Sequence, residues 1–205
     1  MEHLYLPKQF KIEDEKTIHQ LIEKYSFATL ISQHNGEPYA THLPLVLHKS
    51  ENALYGHFAR PNGQWKDIED QQVLAIFHGP HAYISSSWYE TKDAVPTWNY
   101  VTVHVYGKME IIDDPNVISE SLSELVFKYE GPNSPYDLND VDLKYIEGLR
   151  KGIVAFKIHI SRIEAKAKLS QNHSAERRQL VIDQLKKSSQ EDQLQIADLM
   201  RKEME

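Results

Sequence analysis

The segment of this 205-residue chain best equipped for chemistry is Gly56-His57-Phe58-Ala59-Arg60-Pro61-Asn62-Gly63-Gln64-Trp65. Leu54 to Ala59 alternates as a strand does, Arg60-Pro61-Asn62-Gly63 reads as a turn, and a helix over about residues 62–70 is predicted to follow. A fixed guanidinium beside the free N–H groups of a helix start stabilises an anion, and Gly63 would let a ligand approach the backbone. Taken alone, the segment reads more readily as a polar turn with one solvated arginine, and its neighbours shift the balance.

Two further segments carry suitable side chains. Ala40-Thr41-His42-Leu43-Pro44-Leu45 places a proline inside a strand pattern. Proline cannot donate to a ladder, so this strand must be an edge or must break where something else meets its backbone. Phe77 to Tyr100 gathers flat side chains with polar tips, ending in Val95-Pro96-Thr97-Trp98-Asn99-Tyr100. Such a mixture suits a planar heteroaromatic ligand with hydrogen-bonding edges, or simply an aromatic core.

The elements that must position these residues follow from periodicity. Ile18, Leu21, Ile22 and Tyr25 recur at helical spacing over residues 14–25. Strands are predicted over 27–32, 39–47 and 54–59, with Asn35-Gly36 as a tight hairpin turn. A buried strand over 73–77 bends at Gly79-Pro80, extended structure resumes over 82–88, and a long strand covers 98–112. Helices are predicted over 115–129 and 139–148, a loop over 130–137, a last strand over 152–163, and a charged helical tail from about residue 173. Strands joined by hairpins, with helices at their margins, indicate a single α+β domain spanning residues 1–205, mainly an antiparallel barrel. No Gly-x-Gly-x-x-Gly motif or βαβ alternation supports a dinucleotide-binding parallel sheet.

Composition narrows the function. No apolar run approaches the length of a membrane span, and Met1 to Lys8 lacks the pattern of a secretory signal. Cysteine is absent, which excludes disulfides and thiolate chemistry and suits a cytoplasmic location. A net charge of −7 argues against non-specific coating of nucleic acid. The 11 histidines are scattered, without His-Glu-x-x-His, so no metal site is expected. Glu176-Arg177-Arg178 and Lys186-Lys187 are interleaved with acids and read as a solvated helical face rather than a nucleic-acid arm.

Five motifs in order give the chain a resemblance. Thr41-His42-Leu43-Pro44, Gly56 to Asn62, Phe77 to Ser85, Val95 to Tyr100 and Lys168-Leu169-Ser170-Gln171-Asn172 resemble the PaiB-type FMN-binding transcriptional regulators, which share the flavin-binding split barrel of pyridoxamine-phosphate oxidases. Gly63 and Ser86 depart from the family pattern, which has proline at both places. The resemblance implies FMN as cofactor. Thr41, His42, Leu43 and Pro44 would line the isoalloxazine ring. His57, Ala59, Arg60 and Asn62 would hold the phosphate, with Arg60 and Asn62 as the anion contacts. FMN in this fold sits between two subunits, so Trp98, Asn99, Lys168 and Ser170 would close the site from the partner chain of a homodimer.

The function implied by resemblance is negative regulation of sporulation and degradative-enzyme (protease) genes. Contact with DNA is a possible part of it, although no reader of base edges is identifiable. A flavin-dependent oxidoreductase or flavin reductase is the enzymatic alternative, the cofactor carrying the redox chemistry. A third reading is haem binding through His42, His57, His78 or His81.

Overall fold

The computed structural model describes residues 4–136 and 141–205. Among them are eight strands: β1 (Lys11–Ile12), β2 (Phe27–His34), β3 (Glu37–Pro44), β4 (Val46–His48), β5 (Ala53–Ala59), β6 (Gln72–Ile84), β7 (Thr97–Ile112) and β8 (Ile153–Lys168). The helices are α1 (Glu15–Lys24), α2 (Pro115–Glu130), α3 (Leu143–Lys151), α4 (Ala175–Leu185) and α5 (Glu191–Lys202). The strands form an antiparallel sheet in the order β3-β2-β6-β7-β8-β5-β4, with β1 paired on β8. Contacts divide the chain into two compact units. The first comprises Ser26–Ile76 and Val105–Ile163; the second comprises Met1–Tyr25, Phe77–His104 and Glu164–Glu205.

In the first unit, Asn35 (φ 53°) and Gly36 (φ 79°) make the two-residue turn that sets β2 against β3, with His34 opposite Glu37 and Phe27 opposite Pro44. The strand expected over 39–47 is two strands. β3 ends at Pro44, on one edge of the sheet, while Val46 to His48 pairs with β5 at the other. Leu45, fully buried between them, donates its N–H to Ser26 O at 2.9 Å. Proline here closes an edge strand, as its missing donor requires. β5 then packs on β8, Phe58 meeting Phe156 at 4.7 Å between ring centroids.

The helix expected over 62–70 is a single 3₁₀ turn, Gly63–Asp67. Asp70 takes a left-handed φ of 64° and its N–H donates to Met109 O, while Gln71 O accepts from Met109 N. The sheet thus captures the chain before a helix can extend. β6 also differs from expectation, running unbroken through Gly79-Pro80. The buried positions change phase there, from Val73, Ala75 and Phe77 to Pro80, Ala82 and Ile84, the kind of slip that one extra residue introduces. Gly79 is needed because a Cβ would stand 3.0 Å from both Cβ and O of Val101.

In the second unit β8 continues five residues beyond its expected end, because β1 pairs there, with Lys11 opposite Lys166. Asp14 caps α1 by accepting from Thr17 N at 2.8 Å. Ser174 caps α4, and α4 and α5 bury Val181, Ile182, Leu185, Ile196, Ala197 and Met200 against Ala82, Ile84 and Val101. The expected helix over 139–148 lies partly outside the described residues, as does the end of the loop expected over 130–137. No helix among the described residues is long and apolar enough to cross a membrane.

Candidate functional site

The turn after β5 is built around a buried amide that sequence reasoning passed over. Gln64 is fully buried. Its Nε2 donates to Ser32 Oγ (2.9 Å), Tyr39 O (3.2 Å) and Leu30 O (3.3 Å), and its Oε1 accepts from Thr41 Oγ1 at 2.5 Å. Asn62 completes the network: its Nδ2 donates to Thr41 Oγ1 at 2.9 Å and its Oδ1 accepts from Gln64 N. The only signal for this in the sequence was a polar residue directly after a turn glycine.

Thr41 and Asn62, expected as flavin contacts, are therefore brought together, and they hold one another. The helix start expected to supply N–H groups is replaced by a turn whose Gln64 N–H is already taken by Asn62. Arg60 supplies the free charge. Its side chain is exposed, and it is fixed by Nε donating to Lys151 O and Nη2 donating to Ile153 O, both at 2.6 Å. Trp65 lies under the guanidinium, 5.9 Å from its ring centre, and donates its indole N–H to Arg60 O. Two of the five guanidinium N–H donors are committed, so the fork is preorganised and still has donors for an oxyanion.

The other residues of this group fall in distinct environments. His42 is exposed and stacks on the exposed Phe27 at 6.5 Å with 27° between planes, forming a flat aromatic step at the sheet edge. Leu43 is core, 4% exposed, and can offer a ligand only backbone. Pro44 and His57 are half-buried and Ala59 is exposed. Burial holds the His57 imidazole below its usual pKa. Burial does the same to His104 and, with the charges of Arg177 and Lys168, to His173.

These three histidines set a pH dependence. A group whose folded pKa is depressed takes its proton first in the unfolded chain, at about pH 6.5. The stability it contributes is complete above that pH and is lost as pH falls toward the folded value. The urea midpoint is expected to drop between about pH 7 and pH 5, and His57→Gln should reduce the slope. Glu51 stays out of this window. Lys157 first, then Tyr55, hydrogen-bonds its carboxylate and lowers its pKa to about 2. A midpoint independent of pH over the range would refute the assignment.

Trp98, Asn99, Lys168 and Ser170 all belong to the second unit. Asn99 and Ser170 are buried and bonded to each other at 3.0 Å, and Asn99 Nδ2 also donates to Met200 Sδ at 3.4 Å. Ser170 holds φ 63°, so this link secures the turn after β8. Lys168 donates to Thr97 Oγ1 and Trp98 O, both at 2.6 Å, and burial followed by the Lys166 charge lowers its pKa. Trp98 is 52% exposed, with Tyr83 edge-on at 5.8 Å. Of the histidines considered for haem, His81 pairs with Asp192 at 3.3 Å. Among the described residues no three His, Cys, Asp or Glu side chains could together hold a metal ion.

An antiparallel sheet of this order, flanked by helices, defines a split β-barrel. The same fold is seen in the flavocytochrome Anf3 from Azotobacter vinelandii, at 18% identity and a TM-score of 0.65 over 82% of this chain and 74% of that one. It is also seen in the FAD and heme binding protein from Mycobacterium smegmatis, at 13% identity and a TM-score of 0.63 over 82% and 78%. Residues 4–162 match the family profile described as "Putative FMN-binding domain", and the chain belongs to that family. FMN is accordingly its cofactor. The chain is also 41% identical, over 96% of both sequences, to the Protease synthase and sporulation protein PAI 2 of Bacillus subtilis strain 168.

Proposed function

We propose that this chain forms an FMN-binding homodimer that acts as a negative regulator of protease and sporulation genes. The regulatory part is supported by the 41% identity to the Bacillus subtilis protein whose name joins protease synthase and sporulation. The flavin part is supported by the donor set: an exposed guanidinium locked by two carbonyls beside an edge strand that carries a flat aromatic step. Arg60 would hold the phosphate, which is close to a dianion at neutral pH and prefers a planar fork. Thr41 and Asn62 would keep the turn in shape, and Thr41 to Pro44 would offer backbone and His42 to the ring system. Trp98 and Lys168 would close the site from the partner subunit, with Asn99 and Ser170 supporting them. When bound, FMN supplies electron or hydride transfer at its ring system.

The carrying observation is the fixed Arg60 fork, and its test is a flavin titration. Arg60→Ala should lower FMN affinity about 30- to 150-fold, or about 2–3 kcal/mol, as a charged hydrogen-bonded pair is lost. Unaltered affinity would overturn the reading. Because Arg60 also ties two carbonyls, urea unfolding of the variant must show a folded chain at the titration temperature. Light scattering tests the dimer. A promoter fragment shifted in a salt-dependent manner tests direct DNA contact; no shift at low salt, with or without FMN, would make the regulation indirect. The enzymatic alternative keeps one observation in its favour, a groove in the second unit large enough for a small substrate.

A further inference from the structure

That groove has chemistry of its own. It encloses about 910 Å³ and is lined entirely by residues of the second unit, among them Phe10, Tyr89, Trp98, Tyr100, Lys166 and Lys168. The volume is within the range of small-molecule sites.

Its charges are unusually placed. Lys166 is only 5% exposed. Its ammonium donates to Tyr5 O at 2.9 Å and lies 5.3 Å from the ring centres of both Tyr5 and Tyr100, but no carboxylate among the described residues pairs with it. Lys168, two residues along β8, likewise has only a hydroxyl and a carbonyl as partners. Buried cations are ordinarily paired. Of the other charged groups here, Arg177 is engaged by Glu90 through a forked contact, and Asp93 also lines the groove. A second departure points the same way. The hydroxyl of Tyr89 is buried without a hydrogen-bond partner, although such groups are nearly always satisfied. Two ammonium groups without a carboxylate partner and a hydroxyl without a hydrogen-bond partner therefore line one groove, beside the rings of Phe10, Trp98 and Tyr100.

We propose that this groove binds a flat aromatic anion, a carboxylate or phosphate ester, as a ligand separate from the flavin. The acid group neutralises Lys166 and accepts from Tyr89, while the ring lies against Phe10 and Tyr100, which leaves Trp98 and Lys168 to the flavin. Every residue of this site lies in the second unit, and its chemistry is the same whether or not the Arg60 turn binds flavin.

The experiment is calorimetric titration of the full chain with 1-naphthoate and its neutral isostere 1-naphthamide, each with the flavin-free and the FMN-loaded protein. Naphthoate is expected to bind in both states, and naphthamide about tenfold more weakly or less. Lys166→Met and, as an isosteric variant that leaves the fold intact, Tyr89→Phe should each weaken naphthoate and leave FMN affinity unchanged. Equal binding of the amide, no binding of naphthoate at millimolar concentration, or an unaffected Tyr89→Phe titration would overturn the proposal. Competitive displacement of naphthoate by FMN would overturn it too, returning the groove to the flavin. If FMN fails to bind at all but naphthoate binds as described, only the flavin reading falls.

Discussion

Replacing Gln64 by leucine is expected to destabilise the chain by about 3–5 kcal/mol, the range reached when a buried hydrogen-bond network is broken. The amide is fully buried and joins the hairpin of β2 and β3 to the turn after β5 through Leu30 O, Ser32 Oγ, Tyr39 O and Thr41 Oγ1. Leucine matches its volume and satisfies none of these, so each polar partner inside the turn is left in an apolar setting. The loss should appear as a lower urea midpoint with an unchanged m-value. FMN affinity should fall as well, since Asn62 caps the turn through the Gln64 N–H and the turn orients Arg60. Asn62→Ala, which leaves the buried amide in place, should cost only about 1 kcal/mol, as an ordinary cap does. A Gln64→Leu midpoint equal to that of the parent chain would show that the network contributes nothing.

Gly107→Ala is expected to cost about 3 kcal/mol, at the upper end of overpacking penalties. A Cβ at this position on β7 would stand 2.5 Å from His159 O and 2.5 Å from Ile158 Cγ2. One neighbour is backbone and the other is fully buried, so relief requires β7 and β8 to move apart within the first unit. Gly148 provides the contrast. It lies on α3 with nothing within 4 Å of where a Cβ would be, so Gly148→Ala should stabilise by about 0.5–1 kcal/mol through helix propensity alone. The two thermal unfolding curves should move in opposite directions; a shared direction would contradict the geometry.

The fold was largely legible where local chemistry dominates. Asn35-Gly36 in its tight turn and Pro115 at the first position of α2 each fix a boundary by short-range chemistry. Legibility failed where a distant strand decided the outcome. Nothing near Gly79-Pro80 announces that Val101 lies against it and keeps β6 extended. Nothing near Asp70 shows that Met109 captures the chain and stops a helix. The candidate site divides in the same way. Arg60 was visible as a guanidinium at a strand end, but its two carbonyl partners lie about ninety positions away. The role of Gln64 depends on four partners from a hairpin some thirty positions upstream, and no periodicity carries that information.

The family profile stops at residue 162, but the polypeptide does not finish assembling there. Asn99 reaches into the turn at Ser170 and onward to the sulfur of Met200, five residues from the end of the chain. The final forty-odd residues are thus a keystone rather than an appendage. Anyone borrowing this protein by its recognisable portion would leave Ala82, Ile84 and Val101 open to water.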